Sequence, residues 1–130
     1  MNFIKIILSL ILILTVSNSI AQKTNSDKII GCWEITKFEF TPANNNSAAL
    51  IKDALHAVVC FNSKGTFTSQ KANDKTIING KFNLSTDGTT LFQSSEAQNE
   101  ATEEDAKIEL LDDRHLILKT EYFIMSFDKI

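Results

Sequence analysis

The chain has 130 residues, with 13 Lys and Arg against 16 Asp and Glu, a formal net charge of −3 and 43% hydrophobic residues. That length holds one ordinary core and little more. The mild acidity argues against nucleic acid or an anionic membrane surface as a partner, since both call for a basic patch.

The first 21 residues follow the order of a secretory leader. Lys5 supplies a positive charge, Ile6 to Val16 is almost wholly apolar, and Ser19 and Ala21 are the small residues before a cut ahead of Gln22. The apolar run is shorter than the roughly 20 residues a membrane-spanning helix needs. Residues 1–21 are therefore read as a signal peptide, and no Cys lies near the cut to take a lipid anchor. Cleavage near Ala21 would leave 109 of the 130 residues and move the net charge from −3 to −4, because only Lys5 is lost. The product is expected to be exported, periplasmic or extracellular, with no membrane insertion of the mature domain. Residues 22–28 are polar and read as a flexible lead-in.

The domain proper spans 29–130. Ile29 to Thr41 predicts a long first strand that opens on Gly31-x-Trp33. Trp33 and Ile35 share one face by alternation, and Phe38 and Phe40 fall on the other; a bulge near Thr36 would reconcile them. Pro42 and Asn44 to Asn46 stop the strand. Ser47 to Ala57 is the helical candidate, capped by Ser47, with Ala48, Ile51 and Leu55 as its apolar stripe. So short a helix is stable only if it packs on something.

Strands and tight turns follow. His56–Asn62, Thr66–Lys71, Lys75–Ser85, Thr89–Ser95, Ala106–Asp112, His115–Thr120 and Tyr122–Ile130 all read as strands. Gly65 and Gly88 mark turns, and Thr86-Asp87-Gly88 is a strong hairpin pattern. Glu96 to Asp105 reads as a polar acidic loop. About eight strands joined mostly by hairpins, with one short helix after the first, predict an all-β antiparallel up-and-down barrel or a strongly coiled meander.

Cys32 and Cys60 are the two cysteines. In an oxidising compartment they can form a disulfide, whose loop closure would stabilise by roughly 3 kcal/mol. The other reading is two small buried apolar side chains.

The ordered segments IIGCWEI, FNSKGTFTS, GKFNLSTDGTTL, AKIELLDDRHLILKT and YFIMSF resemble small bacterial lipocalin-like proteins over Ile29 to Asp128. The resemblance implies a barrel whose closed base is plugged by Trp33, with Gly31 making room for a close approach. It also implies binding of a small hydrophobic molecule in the barrel. In larger lipocalins an Arg of the last strand often stacks on that Trp. The single Arg here, Arg114, lies in an earlier turn, so that contact is not carried over.

The inward set is expected to be Trp33, Ile35, Val59, Phe61, Phe67, Ile78, Phe82, Leu84, Leu91, Ile108, Leu110, Leu116, Leu118, Phe123, Met125 and Phe127. So many bulky side chains leave a small apolar pocket or a partly filled barrel rather than a deep calyx. Phe61, Phe67, Phe82, Met125 and Phe127 are the expected ligand-lining residues. A filled barrel would instead suit a protein-interaction or inhibitor module acting through its loops.

Chemistry is poorly represented. His56 and Cys60 share a face without an orienting carboxylate or a nucleophile elbow, and His115 reads as a surface residue at a strand start, so no enzyme is expected. Cys32, Cys60, His56 and His115 match no metal-ligand spacing, and the acidic clusters do not follow a calcium-loop pattern. No metal and no cofactor are expected.

Overall fold

The computed structural model describes residues 24–41, 48–97 and 100–130. The leader, the chain stop at Pro42 to Asn46 and the Ser47 cap lie outside them. Eight strands form one closed antiparallel barrel in chain order. They are β1 (Gly31–Phe40), β2 (Val58–Phe61), β3 (Thr66–Gln70), β4 (Ile77–Leu84), β5 (Thr90–Ala97), β6 (Glu100–Leu111), β7 (His115–Lys119) and β8 (Phe123–Lys129). Strand β8 returns to pair with β1, so no edge is left open among them. The expected fold class, an all-β antiparallel eight-strand barrel with one short helix after the first strand, is what the structure has.

Alternation decides which side chains fill the interior. Trp33 and Ile35 are buried on β1 and Thr36 is exposed. The register between β1 and β8 then shifts between Ile35 and Lys37, so Ile35 sits opposite Phe127, Phe38 opposite Met125 and Phe40 opposite Phe123. This bulge returns Phe38 and Phe40 to the inner face, as the sequence required at Thr36. A second bulge, between Ile108 and Leu110, has the opposite consequence for the expected core. It turns Leu110 outward, 43% exposed, and brings Leu111 against the core in its place. Strict period-two counting through β6 therefore misplaces Leu110.

Two further expectations are corrected. The acidic stretch from Glu96 to Asp105 is not a loop: β5 continues to Ala97 and β6 begins at Glu100, and the two pair residue by residue from Thr90↔Lys107 to Ala97↔Glu100. Outward acids such as Glu103 and Asp105 remain in water, so they do not oppose the strand. Nor is the lead-in shapeless. Residues Asn25–Lys28 form a one-turn helix, α1, with a capping box between Thr24 and Asp27. The Asn25 side chain donates to the Gly88 carbonyl at 2.8 Å, which ties α1 to the β4–β5 turn. This delivers Ile29, fully buried, to the core beneath the barrel.

Helix α2 (Ala48–Ala54) follows β1. Leu55, just after it, packs against the core, while Ala48 and Leu50 are exposed. Ile35 and the 56–57 segment exchange backbone hydrogen bonds, Ile35 N to Ala57 O at 2.9 Å and His56 N to Ile35 O at 2.8 Å. His56 holds φ 68° there, so it is a turn residue rather than the first residue of a strand. Cys32 and Cys60 lie directly opposite each other in the β1–β2 register, on the outer face, and are joined as a disulfide. This pairing spans only four residue pairs, so the cross-link reinforces a short seam of the barrel.

Candidate functional site

One end of the barrel is sealed. Trp33 is fully buried and donates its indole N–H to the Ile29 carbonyl at 2.9 Å, which satisfies its one polar atom. Lys129 lies in register with Trp33, and its ammonium stands 5.2 Å from the ring centroid. A cation on the last strand therefore does stack on the plug, and it is Lys129 rather than an arginine. Gly31 makes this possible. Its φ of 131° suits glycine, and a Cβ there would meet Lys129 Cε at 2.7 Å. The close approach expected at Gly31 is thus to a side-chain stem.

Above this base the rings of Phe61, Phe67 and Phe82 come together. Phe61 meets Phe67 at 6.1 Å and Phe82 edge-to-face at 4.9 Å. Gly80 faces inward, and a Cβ there would lie 2.4 Å from the Phe67 ring and 2.4 Å from the Ser94 carbonyl oxygen. Phe67 can lie across β4 only because residue 80 has no side chain.

A cavity of about 330 Å³ remains. Its apolar wall is made by Ile35, Val59, Phe61, Phe67, Ile78, Leu118, Met125 and Phe127. Four of the five expected lining residues, Phe61, Phe67, Met125 and Phe127, border it. Phe82 does not; it is packed on Phe61 instead. The rest of the wall is polar: Ser69, Gln93, Ser95 and Glu104. Sequence reasoning missed all four, because three sit on β5 and β6 where the inner face departs from an apolar alternation, and Glu104 was counted in a loop. Extending the Leu91, Gln93, Ser95 alternation of β5 across its hairpin was the signal that could have found Gln93, Ser95 and Glu104. Glu104 is exposed and Trp33 is buried, so the cavity opens at the end away from the indole.

The groups considered for chemistry are scattered. Exposed His56 approaches Glu34 at 3.7 Å outside the barrel, and exposed His115 sits on Asp112 at 3.3 Å in the β6–β7 turn. Cys60 is held in the disulfide. Among the described residues no three His, Cys, Asp or Glu side chains are grouped to hold a metal ion, and no helix is long and apolar enough to cross a membrane.

No family model and no curated protein matches the chain. Solved structures share its architecture at low sequence identity, among them two from Bacteroides. A lipocalin-like protein from Bacteroides uniformis ATCC 8492 superposes with a TM-score of 0.63 at 16% identity, covering 79% of this chain and 99% of that one. An uncharacterized protein from Bacteroides eggerthii DSM 20697 superposes with a TM-score of 0.59 at 14% identity, covering 78% and 98%. At such identities the likeness speaks for fold alone, and the fold is that of a lipocalin-like barrel.

Proposed function

We propose that the mature domain is a non-catalytic protein of the cell envelope that binds one small hydrophobic molecule inside its barrel. The observation that carries this reading is the cavity of about 330 Å³ between apolar side chains, open at one end and plugged at the other. Its volume lies at the lower end of the roughly 300–1,000 Å³ usual for ligand pockets. A barrel packed solid would have favoured an interaction or inhibitor module; the void favours the carrier.

The non-catalytic part of the proposal draws on placement. Among the described residues that line the cavity there is no histidine, cysteine or lysine, and the reading needs neither cofactor nor metal. Export is argued from residues 1–21, and the Cys32–Cys60 disulfide suits an oxidising compartment. The outward residues Glu103, Asp105 and Lys107 of β6 are charged. A lipid-facing barrel wants an apolar band there, so the mature domain is read as staying out of the bilayer.

Calorimetric titration of the exported protein with 1-octanol tests the reading. One molecule should bind per barrel with Kd below about 1 mM. Ser69→Phe, which puts a ring into the void, should weaken binding by about tenfold or more. Absence of saturable heat in the wild-type protein, or binding untouched by Ser69→Phe, would refute it.

A further inference from the structure

The cavity is two-sided, and the sides differ in chemistry. Glu104 and Gln93 are direct register partners on β6 and β5, and both border the cavity together with Ser95. Among the described residues Glu104 makes no ion pair. In an eight-strand ring β5 lies across from β1. There the cavity wall is apolar, made by Ile35 of β1 and by Met125 and Phe127 of β8.

Building on the proposal that the barrel takes a small molecule, we infer that this molecule is an amphipathic amine: an apolar body seated among Phe61, Leu118 and Phe127, with a protonated nitrogen at the mouth beside Glu104. The chemistry follows from what each partner gains. A carboxylate accepts hydrogen bonds from an ammonium and does so more strongly than a neutral acceptor. The Gln93 side-chain oxygen accepts a further N–H. A ligand that carries its own carboxylate meets repulsion from Glu104 instead, so a fatty-acid anion is disfavoured. Because Glu104 is exposed, salt screens its share of the preference.

Titrating the exported protein with octylamine, 1-octanol and octanoate, which share one tail, separates this inference from the reading it rests on. Octylamine should bind about threefold to tenfold more tightly than 1-octanol at low salt, and octanoate most weakly. Glu104→Gln should bring octylamine and 1-octanol together. Glu104→Lys should reverse the order so that octanoate exceeds octylamine, an outcome that loss of folding cannot produce. If 1-octanol binds but octylamine has no advantage, or if the advantage survives both substitutions, the amine assignment is overturned and the carrier reading stands. If none of the three binds, both fall.

Discussion

At the scale of single residues, two glycines do what their neighbours need. Gly31 leaves the space that the Lys129 stem occupies beneath Trp33, and Gly80 leaves the space across which Phe67 lies. The first was legible in the sequence, since a Gly two positions before the sole Trp at a strand opening has few other uses. The second was not, because an isolated Gly in a strand does not say which ring will cover it. Lys129 was missed because the expectation looked for an arginine, while a lysine stem and ammonium can fill the same position. Gly80→Ala should destabilise the protein by about 1–3 kcal/mol, the usual penalty of overpacking. Pairing it with Phe67→Leu should recover part of that loss, as a double-mutant cycle in urea would measure. A Gly80→Ala variant as stable as the parent would mean that Phe67 does not rest where it is placed.

At the scale of elements, the disulfide and the turns carry most of what can be measured. The pairing of Cys32 with Cys60 was left open by the sequence, because it depends on register. Once Trp33 faces Val59 across β1 and β2, the two cysteines are opposite each other on the outer face. The cross-link should contribute about 3 kcal/mol, so reduction should lower the urea midpoint while the circular-dichroism spectrum of the folded state stays that of the barrel. Equal midpoints with and without reductant would contradict this.

Three turn aspartates add a pH dependence. Asp74 is held below the ordinary carboxylate value of 3.8 mainly by the Thr76 backbone amide, Asp87 mainly by the Ser85 hydroxyl, and Asp112 mainly by the Arg114 amide. A carboxylate whose folded value is depressed stabilises fully above its unfolded value and loses that contribution as the pH falls through the folded value. The stability of the wild type should therefore fall as the pH drops below about 4. Replacing the three with Asn should flatten that acid limb in a series of thermal melts across pH. An unchanged acid limb would show that these turns are indifferent to their charge.

Among the strands, β1 to β4, β7 and β8 were legible through hairpin residues and apolar alternation. The upper parts of β5 and β6 were not. Acidic residues have low strand propensity, and the inner face there is polar because it borders the cavity mouth. The functional part of the barrel is thus the part whose sequence pattern was weakest. In α1, a capping box made by Thr24 and Asp27 was present in the sequence, but four residues of helix give little periodicity to detect.

At the scale of the whole molecule, the barrel and its sealed base were readable, while the size of the void was not. Sixteen bulky inward candidates predicted a small apolar pocket or a partly filled barrel, without saying which positions would leave the space. Leu110 turns out through a bulge, Gly80 adds nothing, and Ser69, Gln93 and Ser95 are slim, so a cavity survives above Phe61. Ile29, Trp33 and Lys129 plug the base of the barrel, Ile35, Phe61, Leu118 and Phe127 border the cavity itself, and the open end gives it an entrance. Methyl resonances report most directly on whether that space accepts an apolar guest. On titration with 1-octanol, the methyl groups of Ile35, Leu118 and Met125 inside the barrel should shift saturably and together, while those of Ile77 and Leu110 on the outside stay in place. Interior methyls that do not move, or outer methyls that move with them, would contradict an internal binding site.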